Sequence, residues 1–390
     1  MKKLGIYVQV PFCQTKCTYC NFHTGVVARE RFGPYVEAVC REIRHHQELL
    51  RAAGVEWPDA LKEDVANTAY FGGGTPSLLE AGQLQEILAS IQETFTTGFE
   101  EVTLEADPET IEESKAKAWI AAGINRVSFG VQSFSDKELA AAGRMHRRAD
   151  VYRAAPVLRA AGIRNVSFDL IAGLPHQTKE SWKQSLEELI ALGPEHVSVY
   201  LLEVDEGSRL GKELLAKGTR YSAGAVPSED EMAEFYGMAQ EALGAAGYRH
   251  YEISNWAKPG FESKHNLKYW RREPYLGFGA GAHSFSGGRQ RWANAHDSAA
   301  YVKAVENGRL QVEQLETVGT EQALEEELFL GLRQLDGIDL GRIEREYGVA
   351  LVNRFEPLTA AGLVERKGDL VRLAEKKLSV SNEVFVELMR

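Results

Sequence analysis

Three of the four cysteines of this 390-residue chain lie close together, in the order Cys13-x3-Cys17-x2-Cys20. Cysteine thiolates are the ligands by which proteins hold iron–sulfur clusters and many zinc ions. Three thiolates on one short loop can bind three irons of a [4Fe-4S] cluster, which leaves the fourth iron open to an external chelator. The remaining cysteine, Cys40, falls on the apolar side of a predicted helix, where we expect it to be a small buried side chain.

The same loop also permits a structural zinc site. His23 follows Cys20 closely enough that a Cys3His ligand set is sterically possible. A structural zinc usually takes two pairs of ligands from separate segments, which one short loop does not supply. The spacing therefore favours the iron–sulfur cluster, and a zinc-stabilised binding protein that does no redox chemistry is the alternative.

A glycine-rich segment, Gly72-Gly73-Gly74-Thr75-Pro76, follows the second predicted strand. Glycines let the backbone approach a ligand closely and expose its amide groups, and a proline ends the strand geometry. The segment is therefore a candidate binding loop, although a tight turn between a strand and a helix would use the same residues.

Polar side chains also stand at three later strands. Glu105 ends the third strand, Gln132 ends the fourth, and Asp169 lies within the fifth. Such groups are costly to bury without a partner, so we expect each of them to meet a ligand, a salt bridge or a loop cap. Arg144, which follows the fourth strand, could supply the salt bridge.

Strand-like and helix-like segments alternate over the first two-thirds of the chain, which favours successive βαβ units with parallel strands. The predicted strands are 5–12, 67–72, 101–106, 126–132, 165–172 and 196–203, and the predicted helices between them are 35–51, 83–95, 114–122, 151–161 and 180–192. An open doubly wound sheet and a partial barrel both fit this alternation. In either case the polar motifs should meet at the carboxyl ends of the strands.

The regular alternation lapses after about residue 205. We predict a helix at 229–246, an irregular segment rich in aromatic residues and glycine at 249–292, and a mainly helical end at 298–390. A short strand pair near 362–373, joined at Gly368-Asp369, gives that end a winged-helix-like pattern.

The cysteine loop resembles that of radical S-adenosylmethionine (SAM) proteins, in which the amino and carboxylate groups of SAM chelate the open iron. Nearly the whole chain is similar to the oxygen-independent coproporphyrinogen III oxidase group, and within that group to the HemW-type haem chaperones. The resemblance implies an α/β fold, namely a partial (β/α)6 radical SAM barrel followed by a mainly α, winged-helix-like C-terminal domain. It divides the chain into a radical SAM core at 1–235, a connecting segment at 236–297 and a HemN-like domain at 298–390.

The resemblance also implies roles for the residues above. The three cysteines would hold the [4Fe-4S] cluster, and the glycine segment would contact the methionyl amino group of SAM. The residues placed around SAM are Tyr7, Tyr19, Gly73, Gly74, Thr75, Glu105, Gln132, Arg144, Asp169 and Ile171. Cleavage of SAM would release a 5′-deoxyadenosyl radical, and the sequence does not establish whether this chain uses it.

Two features separate the chaperone pattern from the oxidase pattern. The oxidase carries a further cysteine two residues after the third, where this chain has Phe22. The segment His265-Asn266-Leu267-Lys268-Tyr269-Trp270 resembles the HNxxYW motif associated with haem binding, because an imidazole can ligate haem iron and aromatic rings can stack on a porphyrin. A hydrogen-bonded histidine in an aromatic-packed connection would give the same pattern, and His283 is a second histidine nearby in a glycine-rich segment.

Composition limits the partners. A formal net charge of −11 argues against a nucleic-acid binder, and no apolar run is long enough to span a bilayer. With few cysteines and no export signal, we expect a cytoplasmic protein. The resemblance then implies that the chain carries haem to recipient haem proteins, plausibly respiratory ones. The alternative is a radical SAM enzyme acting on a tetrapyrrole, such as the oxidase itself.

Overall fold

The computed structural model describes residues 3–56 and 64–388. Its strands, in chain order, are β1 (Lys3–Val10), β2 (Val65–Gly73), β3 (Thr97–Ala106), β4 (Arg126–Gln132), β5 (Asn165–Ala172), β6 (His196–Leu201), β7 (Arg249–Glu252), β8 (Asn255–Ala257), β9 (Tyr275–Phe278), β10 (His283–Phe285), β11 (Gln290–Asn294), β12 (Val312–Thr317), β13 (Ile338–Asp339), β14 (Val364–Lys367) and β15 (Leu370–Leu373). The six predicted strands correspond to β1–β6 and are confirmed.

The α-helices of the described residues are α1 (Phe32–Ala52), α2 (Ala81–Thr94), α3 (Glu113–Ala122), α4 (Asp136–Ala141), α5 (Arg148–Ala161), α6 (Lys179–Leu192), α7 (Arg209–Leu215), α8 (Glu229–Ala245), α9 (Lys264–Trp270), α10 (Ser298–Glu306), α11 (Thr320–Leu332), α12 (Leu340–Tyr347), α13 (Val352–Ala360) and α14 (Ser381–Leu388). The predicted helices correspond to α1, α2, α3, α5, α6 and α8. The short helix α4 was not predicted, because six residues are too few to show a helical repeat.

The parallel strands β1–β6 lie side by side in the order of the chain. That order is the order of a (β/α) barrel, whereas a doubly wound sheet reverses direction at a switch point. Strands β9–β12 extend the sheet beyond β1, and β8 and β7 extend it beyond β6, so β1 and β6 do not pair with each other. The fold is therefore a partial (β/α)6 barrel, as predicted.

Alternation along β1 shows why these segments form a barrel. Leu4, Ile6 and Val8 are fully buried in the main apolar core, on the face that the helices cover. The residues between them face the barrel interior, where Gly5 lies against side chains of α9 and β2. Successive side chains of a strand point to opposite faces, so an apolar outer face and a polar inner face can share one strand.

The prediction of an irregular segment at 249–292 is wrong. The structure places β7, β8, α9, β9, β10 and most of β11 there, and β9 pairs in parallel with β1. These strands have three to five residues, which is too short for an alternating pattern to show. Tertiary pairing against β1 and β6 supplies the order that the local sequence lacks.

The C-terminal part consists of α11–α14 and a small sheet in the order β13-β15-β14. The strand pair β14–β15 turns at Gly368 and Asp369, which confirms the predicted hairpin, and helices with a hairpin give the winged-helix-like pattern. The boundaries proposed at residues 235 and 297 stay a prediction. Among the described residues, no helix is long and apolar enough to cross a membrane.

A buried carboxyl group joins the added strands to the barrel. Glu42 of α1 accepts hydrogen bonds from the Tyr301 hydroxyl (2.5 Å), the Gly279 amide (2.8 Å) and the Asn294 side chain (2.7 Å). Burial raises the pKa of Glu42 to about 7, and these hydrogen bonds oppose the rise. The folded chain therefore holds this proton at a pH where the unfolded chain has released it.

Because the folded-state pKa of Glu42 is raised, its contribution to stability is present below the unfolded pKa and is lost as pH rises toward 7. We expect the free energy of unfolding of the wild type to fall across this window. In Glu42→Gln, which has no proton to lose at this position, we expect that decrease to be smaller by about 1–3 kcal/mol. Urea unfolding between pH 4.5 and 8 measures the free energy of unfolding of both proteins. Glu105 and Glu109, whose pKa values are also raised, are present in both and therefore do not affect the difference between them. The same pH dependence of the free energy of unfolding in the two proteins would contradict the raised pKa of Glu42.

Candidate functional site

A cavity of about 570 Å³ lies at the carboxyl ends of β1–β6. Every residue predicted for the cluster and for SAM, except Tyr7, lines it: Cys13, Cys17, Tyr19, Cys20, Gly73, Gly74, Thr75, Glu105, Gln132, Arg144, Asp169 and Ile171. Arg333, Leu378 and Asn382 close its far side, so the C-terminal part contributes a wall. The parallel strands thus bring together motifs that are separated by more than a hundred residues in the sequence.

The cysteine loop leaves β1 and is held by backbone hydrogen bonds. The Cys13 amide donates to Gly25 (3.0 Å), and the Thr18 amide donates to Ala142 beyond α4 (2.9 Å). The three thiols are free and partly exposed. Burial raises the pKa of the Cys13 and Cys20 thiols, and hydrogen bonding with Thr24 opposes the rise.

The cluster and the zinc alternative need different arrangements of their ligands. A tetrahedral zinc takes its ligands at one point, whereas a cubane takes each thiolate at a separate iron. Within residues 3–56 and 64–388, no group of three or more His, Cys, Asp or Glu side chains is arranged to hold a metal ion. The His23 ring moreover stacks on His296, with ring centroids 3.8 Å apart.

The glycine segment packs against the start of the cysteine loop. The Gly74 amide donates to Val10 (2.9 Å) and the Thr75 amide donates to Phe12 (2.7 Å). A Cβ at Gly74 would overlap the backbone of Phe12, and Gly73 has φ of +110°, which favours glycine. Glycine is therefore required here by the close approach of two chain segments, in addition to any ligand.

Glu105 is held beside this segment. Its carboxyl oxygens accept hydrogen bonds from the Tyr70 hydroxyl (2.8 Å) and the Gly73 amide (3.0 Å). Burial raises the pKa of Glu105 to about 7, and the nearby Asp169 raises it further, against these hydrogen bonds. A cationic amino group in the cavity would stabilise the ionised form.

Asp169 and Gln132 stand on neighbouring strands. The Ser128 hydroxyl lies 3.3 Å from an Asp169 oxygen, and burial raises the pKa of Asp169. Gln132 has φ of +66°, an uncommon conformation for a residue with a side chain, at an irregularity in the pairing of β4 and β5. Strained backbone of this kind is common at binding sites.

Arg144 pairs with a carboxyl group other than those of Glu105 and Asp169, for which the sequence suggests it as a salt-bridge partner. Its guanidinium pairs with Asp107, donates to the Gly130 carbonyl (2.9 Å) and lies 3.5 Å from the Cys17 sulfur. Asp107 also accepts from the Thr75 hydroxyl (3.0 Å). Sequence reasoning missed Asp107, although its place two residues after Glu105 at the end of β3 is a usable signal.

Tyr7 lies behind the cavity wall. Its hydroxyl donates to Gln9 (2.8 Å), and its ring stacks on Tyr70 with centroids 6.0 Å apart. The Gln9 side chain fills the space against Gly73, so Gln9 and Tyr7 support the glycine segment from beneath. A direct contact between Tyr7 and SAM stays a prediction.

The HNxxYW motif forms α9 at the opposite, amino end of the barrel. The Ser263 hydroxyl caps the helix by accepting from the Asn266 amide (3.3 Å), and Glu101 of β3 accepts from the Lys264 and His265 amides (2.9 and 3.1 Å). These bonds fix the helix across the ends of the strands. Tyr269 and Trp270 are only partly exposed.

His265 itself is fully buried, and both of its ring nitrogens have partners. Nδ1 lies 2.9 Å from the Thr68 hydroxyl of β2, and Nε2 lies 2.8 Å from the Tyr269 hydroxyl. Burial lowers the pKa of His265 to about 3, so the ring is neutral. Ligation of haem iron by this ring requires one of the two hydrogen bonds to break, and the haem contact stays a prediction.

Comparison with known proteins agrees with this geometry. The model of the radical SAM superfamily matches residues 7–189, and that of the HemN C-terminal domain matches residues 320–376. The structure of coproporphyrinogen III oxidase (HemN) from Escherichia coli superposes with a TM-score of 0.83 at 21% identity, covering 99% of this chain and 90% of that one. The fold is that of a radical SAM protein.

Similarity to two relatives shows to which family the chain belongs. The heme chaperone HemW of Bacillus subtilis (strain 168) is 34% identical over 385 residues, which cover 97% of each chain. That of Escherichia coli (strain K12) is 34% identical over 282 residues, which cover 72% of this chain and 69% of the relative. The chain belongs to the HemW family.

The contact between Gly74 and Phe12 gives a prediction. We expect Gly74→Ala to lower the free energy of unfolding by about 1–3 kcal/mol, because the added Cβ must displace backbone. Gly237→Ala is the matched control. It lies on an exposed position of α8 with open space around it, and we expect it to stabilise by up to about 1 kcal/mol. Urea unfolding measures both, and a neutral Gly74→Ala would contradict the account.

Proposed function

We propose that this protein is a haem chaperone that holds a [4Fe-4S] cluster and SAM in the cavity at the carboxyl ends of β1–β6, and that passes haem to recipient haem proteins. The proposal rests chiefly on three free thiols at one cavity, whose other walls carry Glu105 of β3, Gln132 of β4, Asp169 of β5 and Arg144, which follows α4. Membership of the HemW family supports the haem role.

Cys13, Cys17 and Cys20 are the proposed ligands of the cluster, which when bound supplies one electron at a time and an iron open to chelation by SAM. The Arg144 guanidinium beside Cys17 opposes the negative charge that thiolates bring to the loop. Asp107 holds that guanidinium in place and is therefore a positioning residue.

The remaining cavity residues are proposed to hold SAM. Glu105 and the glycine segment stand beside each other and suit the methionyl amino group, because a carboxylate and exposed carbonyl groups accept from an ammonium. Asp169 suits the ribose hydroxyls, Ile171 supplies apolar surface for the adenine, and Tyr19 packs near the cluster. Gln132 and Arg144 complete the polar wall.

The oxidase alternative has less support. Phe22 occupies the position of the oxidase's further cysteine, with its side chain 65% exposed, and Asn21 is tied to Asp205 (3.0 Å). The loop therefore offers no fourth thiol to a cluster or substrate. Recipient proteins of the respiratory chain, a cytoplasmic location and the lack of a nucleic-acid partner remain proposals from the sequence.

Anaerobic reconstitution with iron and sulfide tests the cluster. We expect the wild type to bind four irons and to show broad visible absorption, and Cys13→Ala to lose most of both, because a cubane bound through two thiolates is weakly held. Cys40→Ala is the matched control, since Cys40 is buried in the core on α1. Stoichiometric zinc in place of iron, or full iron retention by Cys13→Ala, would contradict the proposal.

A further inference from the structure

A second cavity, of about 280 Å³, lies beside α9, the helix of the HNxxYW motif. Its walls come from the end of α9, from β9–β11 and from α11. Aromatic side chains and arginines share these walls, and the guanidinium carbons of Arg272 and Arg291 each lie 5.4 Å from the centre of the Phe285 ring. Apolar rings beside positive charge suit a flat ligand that carries an anionic group.

The two guanidinium groups share one buried carboxyl group. Arg291 donates to both oxygens of Glu326 (2.8 and 2.9 Å), and the Nε of Arg272 donates to one of them (3.1 Å). A second carboxyl group, that of the exposed Glu316, lies 3.8 Å from Arg291 and not at Arg272. Within the buried part of the cavity wall, positive charge therefore exceeds negative charge.

Arg272 also has a donor that is not used. Its Nη1 lies 3.4 Å from the Tyr347 hydroxyl, and its Nη2 is buried without a hydrogen-bond partner among the described residues. Buried donors are nearly always paired with an acceptor. An unpaired donor on a side chain that lines a cavity therefore marks a place where a ligand can supply the acceptor.

The backbone at Arg272 is strained. Helix α9 ends in a Schellman motif, in which the Glu273 amide donates to Lys268 (2.9 Å) and the Arg272 amide donates to Tyr269 (3.2 Å). This motif puts the residue at the place of Arg272 in the left-handed conformation, where glycine is usual, and Arg272 has φ of +49°. The chain thus bears a conformational cost to keep a guanidinium at this point, and such strain is common at binding sites.

Tyr269 connects the cavity with the motif histidine. Its side chain lines the cavity, and its ring packs edge-to-face on Tyr275 with centroids 4.7 Å apart. Its hydroxyl lies 2.8 Å from Nε2 of His265. The nitrogen with which His265 would ligate a haem iron is therefore separated from the cavity by the Tyr269 side chain, and rotation of that side chain would free it.

Haem combines an apolar ring with two propionate carboxylates. Arginine can bind a carboxylate through two parallel N–H bonds, and aromatic side chains pack on a flat ring. We propose that this cavity is the subsite for a haem propionate, in which Arg272 binds the carboxylate and Glu326 is a positioning residue that holds Arg272 and Arg291 side by side. The inference rests on the proposed function, because haem is its ligand, and it adds an orienting contact outside the HNxxYW motif.

Titration of the full-length protein with haemin and with haemin dimethyl ester, whose propionates carry no charge, tests the inference. We expect the wild type to bind haemin at least about tenfold more tightly than the ester. We expect Arg272→Gly to lose this preference by binding haemin more weakly and the ester equally well. Glycine also relieves the backbone strain, so the fold should survive, and thermal unfolding checks this. Arg271→Ala is the matched control, because it removes the same charge one residue earlier, at an exposed side chain that lies outside the cavity wall.

The outcomes separate the inference from the proposed function. Equal affinity of the wild type for haemin and its ester would overturn the propionate subsite and leave haem carriage intact. A full preference for haemin in Arg272→Gly, or an equal loss of affinity for both ligands, would also overturn the role of Arg272. Binding of neither ligand by the wild type would overturn both the inference and the proposed function.

Discussion

The close backbone contact between the glycine segment and the cysteine loop is the constraint on which the site depends. Gly74 and Thr75 donate to the carbonyls of Val10 and Phe12, so the end of β2 fixes the point at which the chain leaves β1 toward Cys13. Any side chain at Gly74 would separate the two segments. The thiols and the proposed SAM loop therefore keep a fixed position relative to each other.

Further contacts connect the glycine segment to β3 at the carboxyl ends of the strands and to α9 at their amino ends. At the carboxyl ends, Glu105 of β3 accepts from the Gly73 amide, and Asp107, just after β3, accepts from the Thr75 hydroxyl. The end of β3 therefore holds the glycine segment at two points. At the amino end, Tyr70 reaches from Glu105 toward the His265 ring, with ring centroids 5.2 Å apart. The barrel interior thus links the cavity to α9 through the hydrogen bond between Tyr70 and Glu105 and the ring contact between Tyr70 and His265.

The sequence predicts the barrel, because strand and helix periodicity is strong over 3–205. It also predicts that the polar motifs meet at one cavity, because the carboxyl ends of parallel strands lie together. It does not predict β9–β12, whose order comes from pairing: β9 pairs with β1, and β10–β12 follow outward from β9. Nor does it predict that Arg144 pairs with Asp107, or that the His265 ring is buried with both of its nitrogens hydrogen-bonded. Those facts depend on which side chains the tertiary fold brings together, and no local pattern records them.

The central claim is that the thiols and the strand ends form one site that holds the cluster and SAM together. Anaerobic calorimetric titration of SAM into cluster-reconstituted and cluster-free protein tests it most directly. The account predicts that removing the cluster weakens SAM binding by at least about tenfold, because the open iron supplies part of the affinity. Equal SAM affinity in the two forms, or no SAM binding by the reconstituted protein, would contradict it.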